Sequence, residues 1–539
     1  MNIDAAGLAG LRLAAFFSDR QRRFCAGRIY RVSLIAGAFA SVCFFPRNVI
    51  DWIRRLRGFP CAPRQIFTGE KSSMSDKKSK GQARYDELAY EKKNYFEAAS
   101  EAERKEMFGY AEGYKAFLDA AKTEREACAE AVRMAKEHGF TEFRFGDPLA
   151  AGDKKYFVNR GKSVVVFRVG TKDLETDGMR IIASHIDAPR IDVKQNPLYE
   201  EAGMCFLKTH YYGGIKKYQW TAIPLALHGA VVLKDGSKAE IRVGEDPRDP
   251  VFYIDDLLPH LGAEQMAGKA GKIIEGEQLN VVVGGLPYPD DEVKNKLKLT
   301  VLKILNEKYG MCEEDFLSAE ISAVPAFSAR DVGFDRALIG AYGHDDRVCA
   351  YPALTAVLNG ESEHTVLAML VDKEEIGSEG TTGMQCKIYE DLMEEICSCL
   401  GASFRKVRYA SKCLSSDVTA AYDPNFAGVY ERMNSAMLSC GTCMCKFTGS
   451  RGKSGSNDAS AEFVGEVRQM FAREGVVWQT AELGKVDAGG GGTVAMYLAK
   501  LNIDTVDLGV PVISMHAPWE LISKADLYSN YKAFLAFMK

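Results

Sequence analysis

Short apolar runs alternate with amphipathic stretches over most of the chain, and the two periods separate strands from helices. The segments 163-SVVVFRV-169 and 179-MRIIAS-184 are apolar and β-branched, as strands of a sheet buried on both faces should be. Further strands are predicted at 365-TVLAMLV-371, 405-RKVRYA-410, 475-GVVWQTA-481 and 505-TVDLGVPVIS-514. Helices are predicted over 84–138, where apolar residues recur three and four apart among Ala, Glu and Lys. Others are predicted near 346–358, 386–400, 457–473 and 492–501. Apolar strands alternating with helices predict an α/β fold: a mainly parallel sheet covered by helices on both faces.

Between about 196 and 335 that rhythm lapses. Tyr, Gly and Pro punctuate short alternating stretches such as 229-GAVVLKDGSKAEIRVG-244, which carries a hairpin signal at Asp235-Gly236. One helix is predicted within 290–310. The chain therefore divides into an N-terminal extension (1–75), a first part of an α/β domain (76–195), an inserted β-rich domain (196–335) and the second part of the α/β domain (336–539). The extension differs in composition from the rest. It has no Lys or Glu before residue 70 but eleven Arg by residue 64. The expectation is a segment outside the fold, with Met74 beginning the working protein. An Arg-rich, acid-poor leader also fits a targeting segment, and an N-terminal peptide from the natural source separates the two. The apolar run 32–45 is too short to span a bilayer.

With 539 residues, 47% of them hydrophobic and 26% charged, the chain has the composition of a globular protein of more than one domain. A net charge of -4 supplies no basic field, so neither nucleic acid nor a membrane is expected as a partner. Fourteen cysteines are scattered without a framework spacing and read as reduced thiols in a cytoplasmic protein. The one tight group, Cys440, Cys443 and Cys445, has no second pair downstream to complete a metal site.

The chemistry gathers just beyond the predicted strands. His185 and Asp187 follow the strand at 179–184, Glu374 and Glu375 that at 365–371, Asp417 that at 405–410, and His516 that at 505–514. Asp345 and Asp346 lie where the insertion returns to a helix. Singly, each has an ordinary role as a cap or a solvated surface group. Together they fall along the carboxyl ends of strands, where open α/β sheets collect ligands. Imidazole with carboxylate is a ligand set for Zn²⁺, Mn²⁺ or Co²⁺. Five separated positions offer such ligands, which exceeds the needs of one catalytic zinc and fits two ions sharing a carboxylate, roughly 3.5–4 Å apart.

The stretches "SHIDAPRIDVKQNPLYEE", "GHDDR", "DKEEIGSEGTTG", "SSDVTAAYDP" and "GVPVISMHAPWE" resemble the successive signatures of the M18 family of zinc aminopeptidases. The resemblance runs from about residue 80 to 539, and "HYYGGIKKYQW" is most similar to the bacterial branch. It implies a zinc-exopeptidase fold that releases acidic or neutral N-terminal amino acids from peptides, using two divalent metal ions per subunit. It places His185 and Asp417 on one metal, Glu375 and His516 on the other, and Asp345 between them. Glu374 becomes the general base and Asp187 the carboxylate that supports His185. Glu374 and Glu375 are expected in extended backbone, so that their side chains point to opposite sides. The resemblance also places Lys446 against an acidic substrate side chain and sends His260 to a neighbouring subunit's site. It implies a homo-oligomer, a dodecamer enclosing its sites and admitting short peptides. A related amidohydrolase or deacetylase acting on N-acylated molecules is the alternative, and a binding shell without activity is a third. Retention of all five ligands and Glu374 speaks against the third.

Overall fold

The computed structural model describes residues 79–452 and 454–539. The expectations for the extension and for Met74 lie outside the described residues. Two compact units divide between Glu87 and Leu88. Of the first, the described residues belong to the exposed helix Lys80–Leu88.

The second unit begins its long helical region with several caps. Asn94, Ser100 and Thr123 each turn a side-chain oxygen onto backbone N–H groups and start a new helix. The stretch predicted as one helical region is thus divided into Tyr95–Ala98, Glu101–Ala120 and Glu124–Glu137.

A nine-stranded sheet follows. Its central four strands are Thr365–Val371, Met179–His185, Lys412–Ser415 and Asp504–Gly509, neighbours in that order and all parallel. On either side the direction reverses: Ser163–Arg168 pairs antiparallel with Thr365–Val371, and Thr442–Cys445 antiparallel with Asp504–Gly509. The sheet is therefore mixed, with a parallel centre. Alternate residues enter two different cores. Val164, Val166, Ile182 and Leu370 meet helices such as His344–Asn359 and Lys524–Phe537 on one face. Val165, Phe167, Ile181 and Met369 meet Ile388–Cys399 and Ala495–Ala499 on the other. This two-sided burial is why apolar residues run consecutively through the middle of these strands.

One strand prediction fails. Residues 404–410 form the helix Phe404–Ala410, and the strand is the following Lys412–Ser415. The segment RKVRYA lacks alternation, and only Val407 in the helix is buried, so a one-sided surface helix accommodates its charges. Asp417 still lies just past the carboxyl end of a strand.

A second, seven-stranded sheet is antiparallel throughout, with strands from Arg190–Glu201 to Ala319–Pro325. Ala319–Pro325 pairs with both Arg190–Glu201 and Pro224–Val232, which closes the sheet into a barrel-like form. The predicted hairpin is present as Pro224–Val232 and Lys238–Val243, with Gly236 at φ +85° in its turn. Leu225, Ile254 and Val281 fill the interior, and helix Lys296–Tyr309 ends at left-handed Gly310. No helix among the described residues is long and apolar enough to cross a membrane.

Candidate metal centre

Because the four central strands run parallel, their carboxyl ends open on one edge of the sheet. His185 is the last residue of Met179–His185, while Glu374 and Glu375 occupy the tight turn after Thr365–Val371. Asp417 follows Lys412–Ser415, and His516 follows the short strand Pro511–Val512. Asp345 comes from a different direction, at the start of helix His344–Asn359.

These side chains converge. One oxygen of Asp345 lies 3.1 Å from His185 Nε2 and the other 3.1 Å from His516 Nε2. Asp417 Oδ1 is 3.8 Å from His185 Nε2, and Glu375 Oε1 is 3.6 Å from His516 Nε2. Asp346 joins the cluster as well: its carboxylate lies with the His185 imidazole and the Asp417 carboxylate, and it accepts the His185 backbone N–H at 3.3 Å.

Both imidazoles are held by the other ring nitrogen. His185 Nδ1 faces the Asp187 carbonyl at 3.0 Å and its carboxylate at 3.2 Å. His516 Nδ1 faces the Gly214 carbonyl at 2.7 Å. Nδ1 is thereby engaged in each ring, and Nε2, turned toward the carboxylates, is the nitrogen a metal would take. Asp187 does more than hold His185. It accepts the backbone N–H groups of Glu374 and Glu375, each at 3.2 Å, and the Tyr212 hydroxyl at 2.8 Å. Glu520 braces the opposite side, accepting N–H groups from Asp345 at 3.1 Å and His516 at 2.7 Å.

The Glu374–Glu375 backbone is not extended. It forms a single 3-10 turn between Lys373 and Gly377, both left-handed. Consecutive side chains on such a turn diverge by about 120°, so the pair still faces different ways, by a different geometry.

The electrostatics describe a crowded site. Burial, reinforced by the charges of Asp345 and Asp187, pushes Glu374 up to about 7. Burial likewise raises Glu375 and Asp417, with neighbouring carboxylates adding to it. Burial opposes the charge of His516, yet its hydrogen bond to Asp345 prevails and lifts it to about 10. Asp345 is drawn below the usual carboxylate range: burial resists, but the two imidazoles, each 3.1 Å from one of its oxygens, outweigh it. Asp345 Oδ1 and Glu375 Oε1 are buried without a hydrogen-bond partner. Buried carboxylates of this density need compensating positive charge, and orphaned oxygens beside free imidazole nitrogens are the donor set a divalent cation takes. The residues fit a metal.

The cluster opens into a cavity of about 770 Å³ lined by Asp345, Glu374, Glu375, Asp417 and His516. Of the two weaker candidates, Lys446 lies between Cys445 and Phe447, which both line this cavity. Its ammonium is ion-paired with Asp458 and sits 4.3 Å from the centre of the Phe447 ring. His260 is exposed in a turn before helix Ala263–Ala267 and does not line the cavity.

A family model described as "Aminopeptidase I zinc metalloprotease (M18)" matches residues 117–538. The chain belongs to the M18 family. A probable M18 family aminopeptidase 1 of Clostridium acetobutylicum is 48% identical over 461 residues, covering 84% of this chain and 99% of that protein. The crystal structure of an M18 aminopeptidase from Thermotoga maritima superimposes with a TM-score of 0.80 at 44% identity, over 84% of this chain and 100% of that one. The mApe1 dodecamer of S. cerevisiae matches with a TM-score of 0.65 at 20% identity, over 79% of this chain and 96% of that chain, a likeness of fold. The M18 chain is thus a metalloaminopeptidase, which releases N-terminal residues. Tyr212, Gly214 and Glu520 were given no role by sequence reasoning. Tyr212 and Gly214 fall in the stretch that resembles the bacterial branch and Glu520 in "MHAPWE", but nothing in their spacing reveals a hydrogen bond to a distant segment.

Proposed function

We propose that His185 and Asp417 hold one divalent cation and Glu375 and His516 a second, with Asp345 shared between them. The observation that carries this reading is Asp345, whose two oxygens each face a different histidine Nε2 at 3.1 Å. Zinc is the ion of the family description, and Mn²⁺ or Co²⁺ suits the same donors. When bound, the cations lower the pKa of the attacking water and polarise the scissile carbonyl. Glu374 accepts the proton of that water and passes it to the leaving amine nitrogen, a role suited to a carboxyl whose pKa lies near neutrality. Asp187 and Tyr212 keep His185 and the Glu374 turn in register. Glu520 fixes the backbones of Asp345 and His516. The free α-amino group of the substrate is recognised at this acidic end of the cavity, which confines cleavage to the first residue.

Lys446 would trade its Asp458 partner for an acidic substrate side chain, and His260 would act at the site of an adjoining subunit. A homo-oligomer, of twelve copies as in the S. cerevisiae neighbour, is supported by large exposed apolar residues of the barrel-like region, among them Leu261, Met266 and Ile304. The eleven described cysteines are unpaired, in keeping with a cytoplasmic setting.

The test compares leucine p-nitroanilide with N-acetyl-leucine amide on protein stripped and refilled with Zn²⁺, Mn²⁺ or Co²⁺. Turnover of the free amine, with two equivalents of cation bound, is the expected result. Turnover of the acetylated compound alone would move the site to the deacetylase class.

A further inference from the structure

Away from the metal ligands, one wall of the cavity is a glycine-rich ladder in which Gly449–Ser450 pairs with Gly490–Gly491. Arg451 directly follows the first strand of that ladder, and Lys485 begins the loop that leads into the second. Both side chains line the cavity. Apart from His516, they are the only cationic ones among its described lining residues.

Neither has a use in the chemistry above, and neither is neutralised. Arg451 is exposed and forms no ion pair or side-chain hydrogen bond among the described residues. The Lys485 ammonium donates to the Gly428 carbonyl at 2.7 Å, which occupies one of its three donors. Glu482 lines the same cavity yet pairs with neither of them. A lone exposed cation is usually just solvated. Two cations lining one cavity, one with a free planar fork and one with spare donors, are the donor types that a carboxylate takes. The division of charge also sets where such a group can sit. Asp345, Glu374, Glu375 and Asp417 repel a substrate anion from the metal end, whereas the glycine wall adds no charge and allows close approach of a peptide.

We propose that Arg451 and Lys485 form a carboxylate-binding subsite of the substrate cavity, so that the preferred peptides carry a carboxylate there. The inference rests on reading this cavity as the peptide site. A peptide has two sources for the group: the side chain of an N-terminal Asp or Glu, which would then meet this pair in place of Lys446, or the terminal carboxylate of a short chain. A cavity of about 770 Å³ has the volume for a short peptide.

The experiment uses the full-length, zinc-loaded protein and two matched substrate pairs. Aspartate against asparagine p-nitroanilide tests the side chain, and Leu-Gly-Gly against its C-terminal amide tests the chain end. The wild type is expected to favour the carboxylate member of one pair at least tenfold in kcat/KM, and that pair identifies the source. Arg451→Met and Lys485→Met should each erode this preference about tenfold, chiefly through KM, whereas Arg451→Lys keeps most of it. A wild type with no preference in either pair, or variants that depress both members equally, would overturn the subsite and leave the aminopeptidase reading standing. Turnover of N-acetyl-leucine amide with no free-amine substrate cleaved would overturn both.

Discussion

Strands Met179–His185 and Pro224–Val232 are built from similar apolar residues, and each carries a buried histidine, His185 and His228. Their fates differ. Each ring nitrogen of His228 faces a carboxylate, Glu126 at 2.7 Å and Glu245 at 3.4 Å, and the pairing ties helix Glu124–Glu137 to the barrel-like sheet. His185 holds one nitrogen against Asp187 and points the other at Asp345 Oδ1, which has no hydrogen-bond partner. Topology accounts for the contrast. Parallel strands leave all their carboxyl ends on one edge, so residues from four distant segments meet there. In the closed antiparallel sheet successive strand ends alternate between edges and are tied off by turns, which scatters such residues. A lone histidine is therefore a poor guide to function, whereas the edge of the sheet on which it sits is a good one.

The largest expected effect lies at that edge. Glu374→Gln should lower kcat by about 10³ or more while leaving the bound cation content, measured by elemental analysis, unchanged. A variant that keeps its turnover would remove Glu374 from proton transfer. The wild-type pH profile sharpens the point. Glu374 acts deprotonated, burial sets it near 7, and bound cations stabilise its charged form, so kcat/KM should rise with pH through a limb lying below 7. In Glu374→Gln that limb should be absent.

Cation removal separates the two histidines next. Chelation leaves Glu375 and Asp417 crowded and uncompensated, so the thermal midpoint should fall and recover on refilling. Saturation at about 100 times Kd contributes roughly 3 kcal/mol of stability. His228→Gln should reduce stability and leave the cation stoichiometry as it was. A cation lost with His228 would erase the distinction between the two sites.

Tyr212 probes the seam between the regions, since it lies on barrel strand Met204–Tyr212 but donates to Asp187. Tyr212→Phe should weaken cation affinity or kcat/KM about tenfold, because Asp187 keeps its two backbone donors while losing one of three supports. An unchanged kcat/KM would mean that the barrel-like sheet gives this centre no help through Tyr212.

How much of this could be read from the sequence follows the same division. The largely apolar strands at 163–169, 179–184 and 365–371 were legible because two-sided burial leaves a continuous signal. So was the edge they end on, which brought His185, Glu375, Asp417 and His516 into one list. The helix Phe404–Ala410 was misread because seven residues with one buried side chain carry no resolvable period. The antiparallel flanks escaped because an apolar strand looks the same in either direction. Glu520 and Gly214 act through backbone contacts made across some 175 and 302 residues, and pairings of that range leave no trace in local spacing.

The smallest expected effect tests whether the barrel-like region faces another copy of the chain. Leu261 and Ile304 are 70% and 54% exposed, so replacing either with Ser removes little contact within the protomer. Leu261→Ser and Ile304→Ser should therefore shift unfolding stability by no more than about 0.5 kcal/mol. If these side chains are buried between copies, the same changes should lower the mass seen by sedimentation, because each loses the transfer energy of an apolar side chain at every contact. Metal content should be unaffected, since neither residue lines the cavity at those strand ends. An unaltered mass would show that these exposed side chains are not the joint, and that the barrel-like sheet meets its neighbours, if at all, through its polar surface.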